Sequence, residues 1–165
     1  MDLIVQKGTE LGVMEFIPTI TDRVDVKLKG EFKKLDRLNR IALEAAKQSK
    51  RSIIPKVLEP VDFNEVLSKL EEFDLVLVPY ENAENFGIKS LMKKMKEEKL
   101  DLDTIKKVAI FIGPEGGIEN EEITRLKEKG AYIITLGNRI LRTETAGFVA
   151  ASLIQYELSD LGGSI

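Results

Sequence analysis

The chain contains no cysteine, no histidine and no tryptophan among its 165 residues. The lack of cysteine excludes disulfide bonds, thiolate zinc sites and cysteine nucleophiles. The lack of histidine excludes Ser-His triads and imidazole ligands, and it removes the commonest general base. Because no acidic cluster has the spacing of a calcium-binding loop either, we predict that the protein binds no metal.

Long hydrophobic runs are also missing. The longest apolar runs have only a few residues, whereas a membrane-spanning helix needs about 20. The first ten residues, MDLIVQKGTE, have neither the basic start nor the apolar stretch of a signal peptide. We therefore expect a soluble, cytoplasmic protein. Its length and its 43% hydrophobic content are typical of one globular domain.

The net charge of -3 is unevenly distributed along the chain. Eleven basic and four acidic residues between Arg23 and Lys56 give that segment a charge of +7, which leaves -10 for the remainder. A basic segment on an acidic body is typical of a protein that meets phosphates with one face. A solvated helix covered by lysines explains the same charges, so both interpretations stay open.

Short β-rich segments alternate with helical patterns. Strands are predicted at 16–20, 74–79, 108–112 and 132–136, and helices at 31–48, 63–70, 119–128 and 144–158. Asp62 and Thr143 are predicted to cap the second and the last of these helices, with Glu65 completing a capping box at the former. This alternation predicts an α/β domain with a mostly parallel sheet flanked by helices.

Two loops that follow predicted strands have compositions suited to ligand binding. The loop 112–118, IGPEGGI, can aim backbone N–H groups at a ligand beside the carboxyl ends of parallel strands, although a simple glycine turn needs no ligand. The loop 136–146, LGNRILRTETA, places Arg142 beside a helix N-terminus, where a cation is unfavourable unless it meets an anion. We therefore predict a functional role for Arg142. The loop 80–85 would line the same pocket.

Four segments together closely resemble the RsmE family: QKGTELGV (6–13), IALEAAKQSKRSIIPKV (41–57), FIGPEGGI (111–118) and LGNRILRTETA (136–146). These are SPOUT-superfamily methyltransferases that methylate N3 of a uridine in small-subunit (16S) ribosomal RNA, as part of ribosome biogenesis. The resemblance implies a methyltransferase domain over residues 1–165 with a C-terminal trefoil knot, an exception to the rule of unknotted chains. It also implies a homodimer whose interface lies beside the cofactor.

The cofactor implied by this resemblance is S-adenosyl-L-methionine, held in the knot largely by backbone groups. The implied cofactor contacts are Val78, Pro79, Tyr80, Ile112, Gly113, Pro114, Glu115, Gly116, Gly117, Leu136, Gly137, Ile140, Leu141, Arg142, Thr145 and Ala146.

For catalysis, we predict that Arg142 stabilises negative charge on the uracil or holds a phosphate. Glu115 and Glu144 are the carboxylates nearest in sequence to the two loops, and either would orient the base or accept its proton. Both also fit a purely structural role as acids at a helix start.

The basic helix provides the predicted RNA contacts. Spacings of three and four residues predict that basic and polar side chains share one face of this helix. The predicted contacts on that face are Arg37, Arg40, Gln48 and Arg51. A solvated helix face with salt bridges is the alternative.

The chain departs from the family in two ways. The family normally begins with a small PUA-like RNA-binding domain, which we expect to be absent from this chain. Lys47 and Lys50 stand where relatives carry an acidic or polar residue and a glycine. Alternative functions are a SPOUT methyltransferase with another RNA target, a non-catalytic RNA-binding module, and a nucleotide-binding α/β enzyme, although the last would lack any phosphate-loop lysine.

Overall fold

A computed structural model describes residues 1–23 and 34–163 of the chain. Its helices are α1 (Asp2–Glu10), α2 (Leu35–Gln48), α3 (Phe63–Lys69), α4 (Ile88–Glu97), α5 (Asn120–Glu128) and α6 (Thr143–Leu158). Its strands are β1 (Glu15–Phe16), β2 (Thr19–Ile20), β3 (Lys56–Val57), β4 (Val61–Asp62), β5 (Leu75–Pro79), β6 (Val108–Ile110) and β7 (Tyr132–Ile134). Among the helices in these ranges, none has the length and apolar character needed to cross a bilayer.

Every strand pairing in the described ranges is parallel, which confirms the predicted α/β class. The central sheet has the order β6-β5-β7, and two small pairs join β1 to β3 and β2 to β4. The middle strand, β5, is apolar along its whole length, and its Leu77 and Val78 are fully buried. Such a continuous apolar run is expected where helices cover both faces of a parallel sheet.

The amphipathic pattern of the first predicted helix is confirmed from Leu35 onward. Leu38, Ala42 and Ala45 are buried on one face of α2. Val5 of α1 belongs to the same core cluster as Leu38 and Ala42, so this face holds α1 against the domain. The first part of the predicted helix, which includes Phe32, lies outside the described residues.

Two features of the fold differ from the prediction. The segment 16–20 forms two short strands, because β1 pairs with β3 while β2 pairs with β4, and Pro18 between them has no N–H to continue a ladder. Helices α1 and α4 were not assigned from the sequence. The buried positions of α4 are Ile88, Leu91, Met92 and Met95, which follow the spacing of an amphipathic helix.

Of the two predicted helix N-caps, the one at α3 is confirmed and the one at α6 is wrong. The Asp62 carboxylate accepts the backbone N–H of Glu65 at 2.9 Å, which confirms the cap of α3. The capping box predicted with Glu65 is wrong, because the Glu65 carboxylate pairs with Lys69 at 3.1 Å. The cap predicted for Thr143 is wrong, because Arg142 occupies the N-cap position of α6 and makes no side-chain cap bond. The Thr143 hydroxyl has another partner, in the glycine loop.

Lysines occupy left-handed positions at the ends of α2 and α4. Lys50 has φ +56° and Lys99 has φ +55°. The following N–H groups close the hydrogen bonds of a Schellman motif, from Arg51 to the Ala46 carbonyl at 2.9 Å and from Leu100 to the Met95 carbonyl at 3.0 Å. The left-handed conformation at Lys50 is the physical reason why a glycine would suit this position.

Replacement of either lysine by glycine is expected to stabilise the protein. The left-handed conformation costs a residue with a side chain about 1–2 kcal/mol, and the greater freedom of glycine in the unfolded chain offsets about 0.4–1 kcal/mol of that. We therefore expect Lys50→Gly and Lys99→Gly each to raise the melting temperature by about 1–4 °C, measured by calorimetry. Lys47→Gly, inside α2, should lower it instead. A fall in melting temperature for both terminal variants would show that the left-handed lysines are unstrained.

Candidate functional site

Three loops meet at the carboxyl edge of the central sheet. Because β5 lies between β6 and β7 and all three run parallel, the segments that follow them, 80–87, 111–119 and 135–142, leave the sheet side by side. The first and third are joined by a hydrogen bond from the Thr135 N–H to the Phe86 carbonyl, at 2.9 Å. The structure thus brings together the three loops that the sequence predicted to line one pocket.

The loop after β6, which we call the glycine loop (111–119), has the carbonyls of Gly113, Pro114 and Gly116 bonded to protein donors. The Thr143 hydroxyl donates to the Gly113 carbonyl at 3.2 Å. The Gly117 N–H donates to the Pro114 carbonyl at 2.9 Å and closes a tight turn. An Arg23 nitrogen, Nη1, donates to the Gly116 carbonyl at 2.6 Å. The glycine loop is therefore held by one neighbour from before it in the chain and by one from after it.

The N–H groups of the same loop remain available. Those of Gly113, Glu115 and Gly116 make no hydrogen bond to any residue in 1–23 or 34–163. Polar backbone groups seldom stay unpaired once they are shielded from water. The glycine loop therefore presents donors to solvent, and it suits a ligand that offers several hydrogen-bond acceptors.

Arg142 and the two candidate carboxylates surround this edge without fixed partners. Arg142 is exposed at the N-cap position of α6, where the helix dipole adds positive potential. Glu115 is exposed on the glycine loop, and Glu144 is half-buried in the first turn of α6. None of the three side chains has a hydrogen bond or ion pair within the part of the chain that the structure describes. All three side chains therefore remain available to a substrate.

The remaining predicted cofactor residues differ widely in exposure. Val78 is fully buried in the core, so its side chain cannot contact a ligand. Ile140 is 90% exposed, and Gly137 and Thr145 are also exposed. The half-buried members are Pro79, Tyr80, Ile112, Pro114, Leu136, Leu141 and Ala146. This arrangement therefore offers a ligand mainly backbone contacts rather than contacts with side chains.

The predicted RNA-binding residues do not share one environment. Arg40 and Gln48 are exposed on α2. Arg37 lies on the same helix and forms an ion pair with Asp2. The three residues lie on a helix as predicted, and their contact with RNA remains a prediction.

The placement of Arg51 on this helical stripe is wrong, because α2 ends at Gln48. The Arg51 guanidinium donates to the carbonyls of Thr9 at 2.8 Å, Val13 at 2.7 Å and Gly12 at 3.3 Å. Partial burial lowers the pKa of this guanidinium from its ordinary value. Arg51 thus fastens the end of α1, and its donors are engaged inside the protein.

One residue beside the glycine loop was missed as a site residue. Arg23 entered the sequence argument only as part of the basic segment, yet its Nε donates to Glu119 Oε1 at 2.5 Å, in addition to its bond to Gly116. The hydrogen bond from Arg23 holds the pKa of the Glu119 carboxyl below its ordinary value. Gly116 and Glu119 lie 93 and 96 positions after Arg23 in the chain. Contacts at such a separation leave no local pattern in the sequence, so periodicity could not have predicted them.

Two shallow grooves accompany this arrangement. One of about 500 Å³ lies between α3 and α5 and contains none of the predicted site residues. Another of about 360 Å³ includes Tyr80, Phe86 and Tyr132 beside the loop that follows β5. We place the candidate site at the strand-end loops, because free backbone donors converge there. The described ranges contain no group of three or more acidic residues able to hold a metal ion.

Comparison with protein families gives a match over almost the whole chain. The model of the RNA methyltransferase domain family matches residues 1–155. Among curated proteins, ribosomal RNA small subunit methyltransferase E of Bacillus subtilis is 39% identical over 99% of this chain and 63% of its own length. Its counterpart in Aquifex aeolicus is 34% identical over 93% of this chain and 62% of its own length. The chain thus spans about three fifths of these relatives.

A solved structure has the same fold. The ribosomal RNA small subunit methyltransferase E from Neisseria gonorrhoeae, bound to S-adenosyl methionine, aligns with a TM-score of 0.79 and 31% sequence identity. The alignment covers 95% of this chain and 60% of that one.

Proposed function

The chain belongs to the RNA methyltransferase domain family, and we propose that it transfers a methyl group from S-adenosylmethionine to N3 of a specific uridine in small-subunit ribosomal RNA. The names of the relatives support the ribosomal substrate. The closeness of the four sequence segments to the RsmE family supports the uridine N3 target.

The observation that carries this proposal is the glycine loop, with its free N–H groups. S-adenosylmethionine offers acceptors in its adenine nitrogens, its ribose oxygens and its carboxylate, which match the free donors of this loop. The Neisseria gonorrhoeae relative binds this molecule. The residues present therefore fit the cofactor, and Gly113, Glu115 and Gly116 are the backbone donors that would hold it.

The residues around the loop suit a methyl transfer to a weakly acidic nitrogen. When bound, S-adenosylmethionine supplies an electrophilic methyl group on its sulfonium. Arg142 would stabilise the negative charge that develops on a uracil oxygen as N3 loses its proton. Glu115 or Glu144 would accept that proton or orient the base. Positioning of the base in line with the methyl group supplies much of the remaining rate enhancement.

Calorimetric titration with S-adenosylmethionine and with S-adenosylhomocysteine tests the proposal. We expect saturable binding at about one site per chain, followed by methyl transfer to small ribosomal subunits that lack the modification. A folded chain that binds neither compound is not a methyltransferase. Such a result would leave the RNA-binding module as the function of this fold.

The basic helix provides a second test, through the salt dependence of RNA binding. Arg40 has no partner within the described residues, so Arg40→Ala should remove one phosphate contact and reduce the logarithmic salt slope by about 0.7. Arg51→Ala should instead lower the melting temperature, because the carbonyls of Thr9 and Val13 lose the hydrogen bonds that the guanidinium donates. Equal salt slopes for wild type and Arg40→Ala would assign this helix face to solvent.

We also propose a homodimer that works in the cytoplasm, where ribosomes are assembled, and a trefoil knot in the C-terminal part of each chain. The exposed apolar side chains of Leu153 and Tyr156 on α6, 40% and 65% exposed, support a partner on that helix. The contact of Thr135 with Phe86 is compatible with a loop that wraps the chain before α6. Analytical ultracentrifugation at several protein concentrations tests the dimer.

A further inference from the structure

The segment that follows β2 is fastened to the start of α5 by a buried carboxylate. Glu122 is only 2% exposed, and its two oxygens accept the N–H groups of Asp22 at 3.1 Å and of Glu119 at 3.0 Å. One carboxylate therefore fixes both the backbone beside Arg23 and the first residue before α5. The backbone position of Arg23 therefore depends on a buried hydrogen bond to its neighbour Asp22 and not only on exposed contacts of the arginine itself.

From this fixed position, the Arg23 guanidinium reaches the glycine loop with two different nitrogens. Nη1 donates to the Gly116 carbonyl at 2.6 Å and Nε donates to Glu119 at 2.5 Å. A guanidinium holds two acceptors in a rigid planar geometry, so this pair of bonds fixes the direction of the Gly116 carbonyl. The Gly116–Gly117 peptide is thereby locked, and its own N–H closes the turn onto the Pro114 carbonyl at 2.9 Å.

Arg23 also neutralises an acidic neighbourhood. A side chain built at Gly117 would lie 2.9 Å from the Glu81 carboxylate and 3.3 Å from Arg23 Nη1, so this cation lies close to Glu81 as well as to Glu119. The hydrogen bond that Arg23 donates to Glu119, followed by the electrostatic effects of Glu119, Tyr80 and Glu81, raises the pKa of Arg23. Without the arginine, both carboxylates would lose this compensating charge.

We infer that Arg23 is a positioning residue, which holds the glycine loop in the shape that binds the cofactor while leaving the loop's N–H groups free. The inference rests on the proposed function for the identity of the cofactor. It assigns a role to a residue in the first part of the chain, far in sequence from the loops that resemble the family's cofactor site.

The test compares Arg23→Ala, Arg23→Lys and Lys129→Gln with the wild-type chain. Lys129→Gln is the matched control, because it breaks an exposed ion pair with Glu71 (2.6 Å) at the opposite end of α5. We expect Arg23→Ala to weaken S-adenosylhomocysteine binding about tenfold in calorimetry. Arg23→Lys should be intermediate, because an ammonium lacks the planar fork. The control should bind like the wild type.

Hydrogen–deuterium exchange without cofactor gives an independent measure of the loop. Arg23→Ala should speed exchange at Gly117, whose N–H is bonded to the Pro114 carbonyl, and leave the strands of the central sheet unchanged. Unaltered binding and unaltered exchange would reduce Arg23 to a surface ion pair. Weaker binding with unaltered exchange would mean that Arg23 contacts the cofactor directly, which overturns the positioning role. A wild-type chain that binds no cofactor refutes the proposed function, while exchange still tests whether Arg23 holds the loop.

Discussion

Replacement of Arg142 by alanine should lower the turnover number for methyl transfer about a hundredfold. Arg142 lies exposed at the start of α6 and has no partner among the described residues. A structural arginine would be expected to pair with a carboxylate or a carbonyl, as Arg23 and Arg51 do. An unpaired cation beside the positive end of a helix is unfavourable in the free protein, and an electron-rich substrate would relieve it.

Arg139 provides the matched control for this variant. It is exposed on the same loop three residues earlier, and it carries the same charge. Single-turnover transfer of a radioactive methyl group to small ribosomal subunits should separate the two variants. We expect the rate to fall in Arg142→Ala and to stay near the wild-type value in Arg139→Ala. Equal rates for Arg142→Ala and wild type would remove Arg142 from the mechanism.

Replacement of Gly117 by alanine should weaken cofactor binding by roughly 10- to 100-fold. Gly117 has φ +79°, a conformation that costs other residues about 1–2 kcal/mol. Its added Cβ would also lie 2.9 Å from Glu81 Oε1 and 3.3 Å from Arg23 Nη1, so both side chains would have to shift away from the loop. The backbone strain and the displaced Arg23 both disturb the turn whose N–H groups form the proposed binding surface. Calorimetric titration with S-adenosylhomocysteine measures the loss.

Gly130→Ala is the control that distinguishes the effect of backbone strain from the effect of damage to the site. It has φ +82° at the end of α5, and a side chain there would meet no atom within 4 Å. Gly130→Ala therefore carries a similar backbone cost and should lower the melting temperature about as much as Gly117→Ala. It should leave the affinity for S-adenosylhomocysteine unchanged. A parallel loss of affinity in both variants would show that the effect at Gly117 comes from global destabilisation.

The sequence predicted those parts of the fold that depend on local periodicity. The cap at Asp62, the apolar face of α2 and the end of α5 at Gly130 each follow from residues within one or two turns of each other. Helix α4 carried an equally clear signal in Leu91 and Met95, and it went unassigned. The two-residue strands β3 and β4 carry no such signal, because their existence depends only on the strand that each one pairs with. The segment 16–20 was predicted as one strand, and its division into β1 and β2 also depends on those partners.

In the candidate site too, local sequence signals predicted some residues correctly and failed for others. The glycine loop and Arg142 stood out because their composition is unusual for a simple connection. Thr143 was assigned to a cap because hydroxyl residues at helix starts usually serve that purpose. Its hydroxyl instead lies within reach of Gly113, 30 residues earlier in the chain, and such a contact is decided by how the strands are ordered in the sheet. Arg51 was misplaced for a related reason, since the spacing rule was extended past the point where the helix ends.

The two bonds that hold the glycine loop also set the order in which the site is assembled during synthesis. Arg23 leaves the ribosome 93 residues before the Gly116 carbonyl that it binds, and Thr143 follows Gly113 by 30 residues. Contacts so distant along the chain close late and slowly in folding. A nascent chain that has completed β6 therefore still lacks a finished loop until the first turn of α6 has emerged and packed.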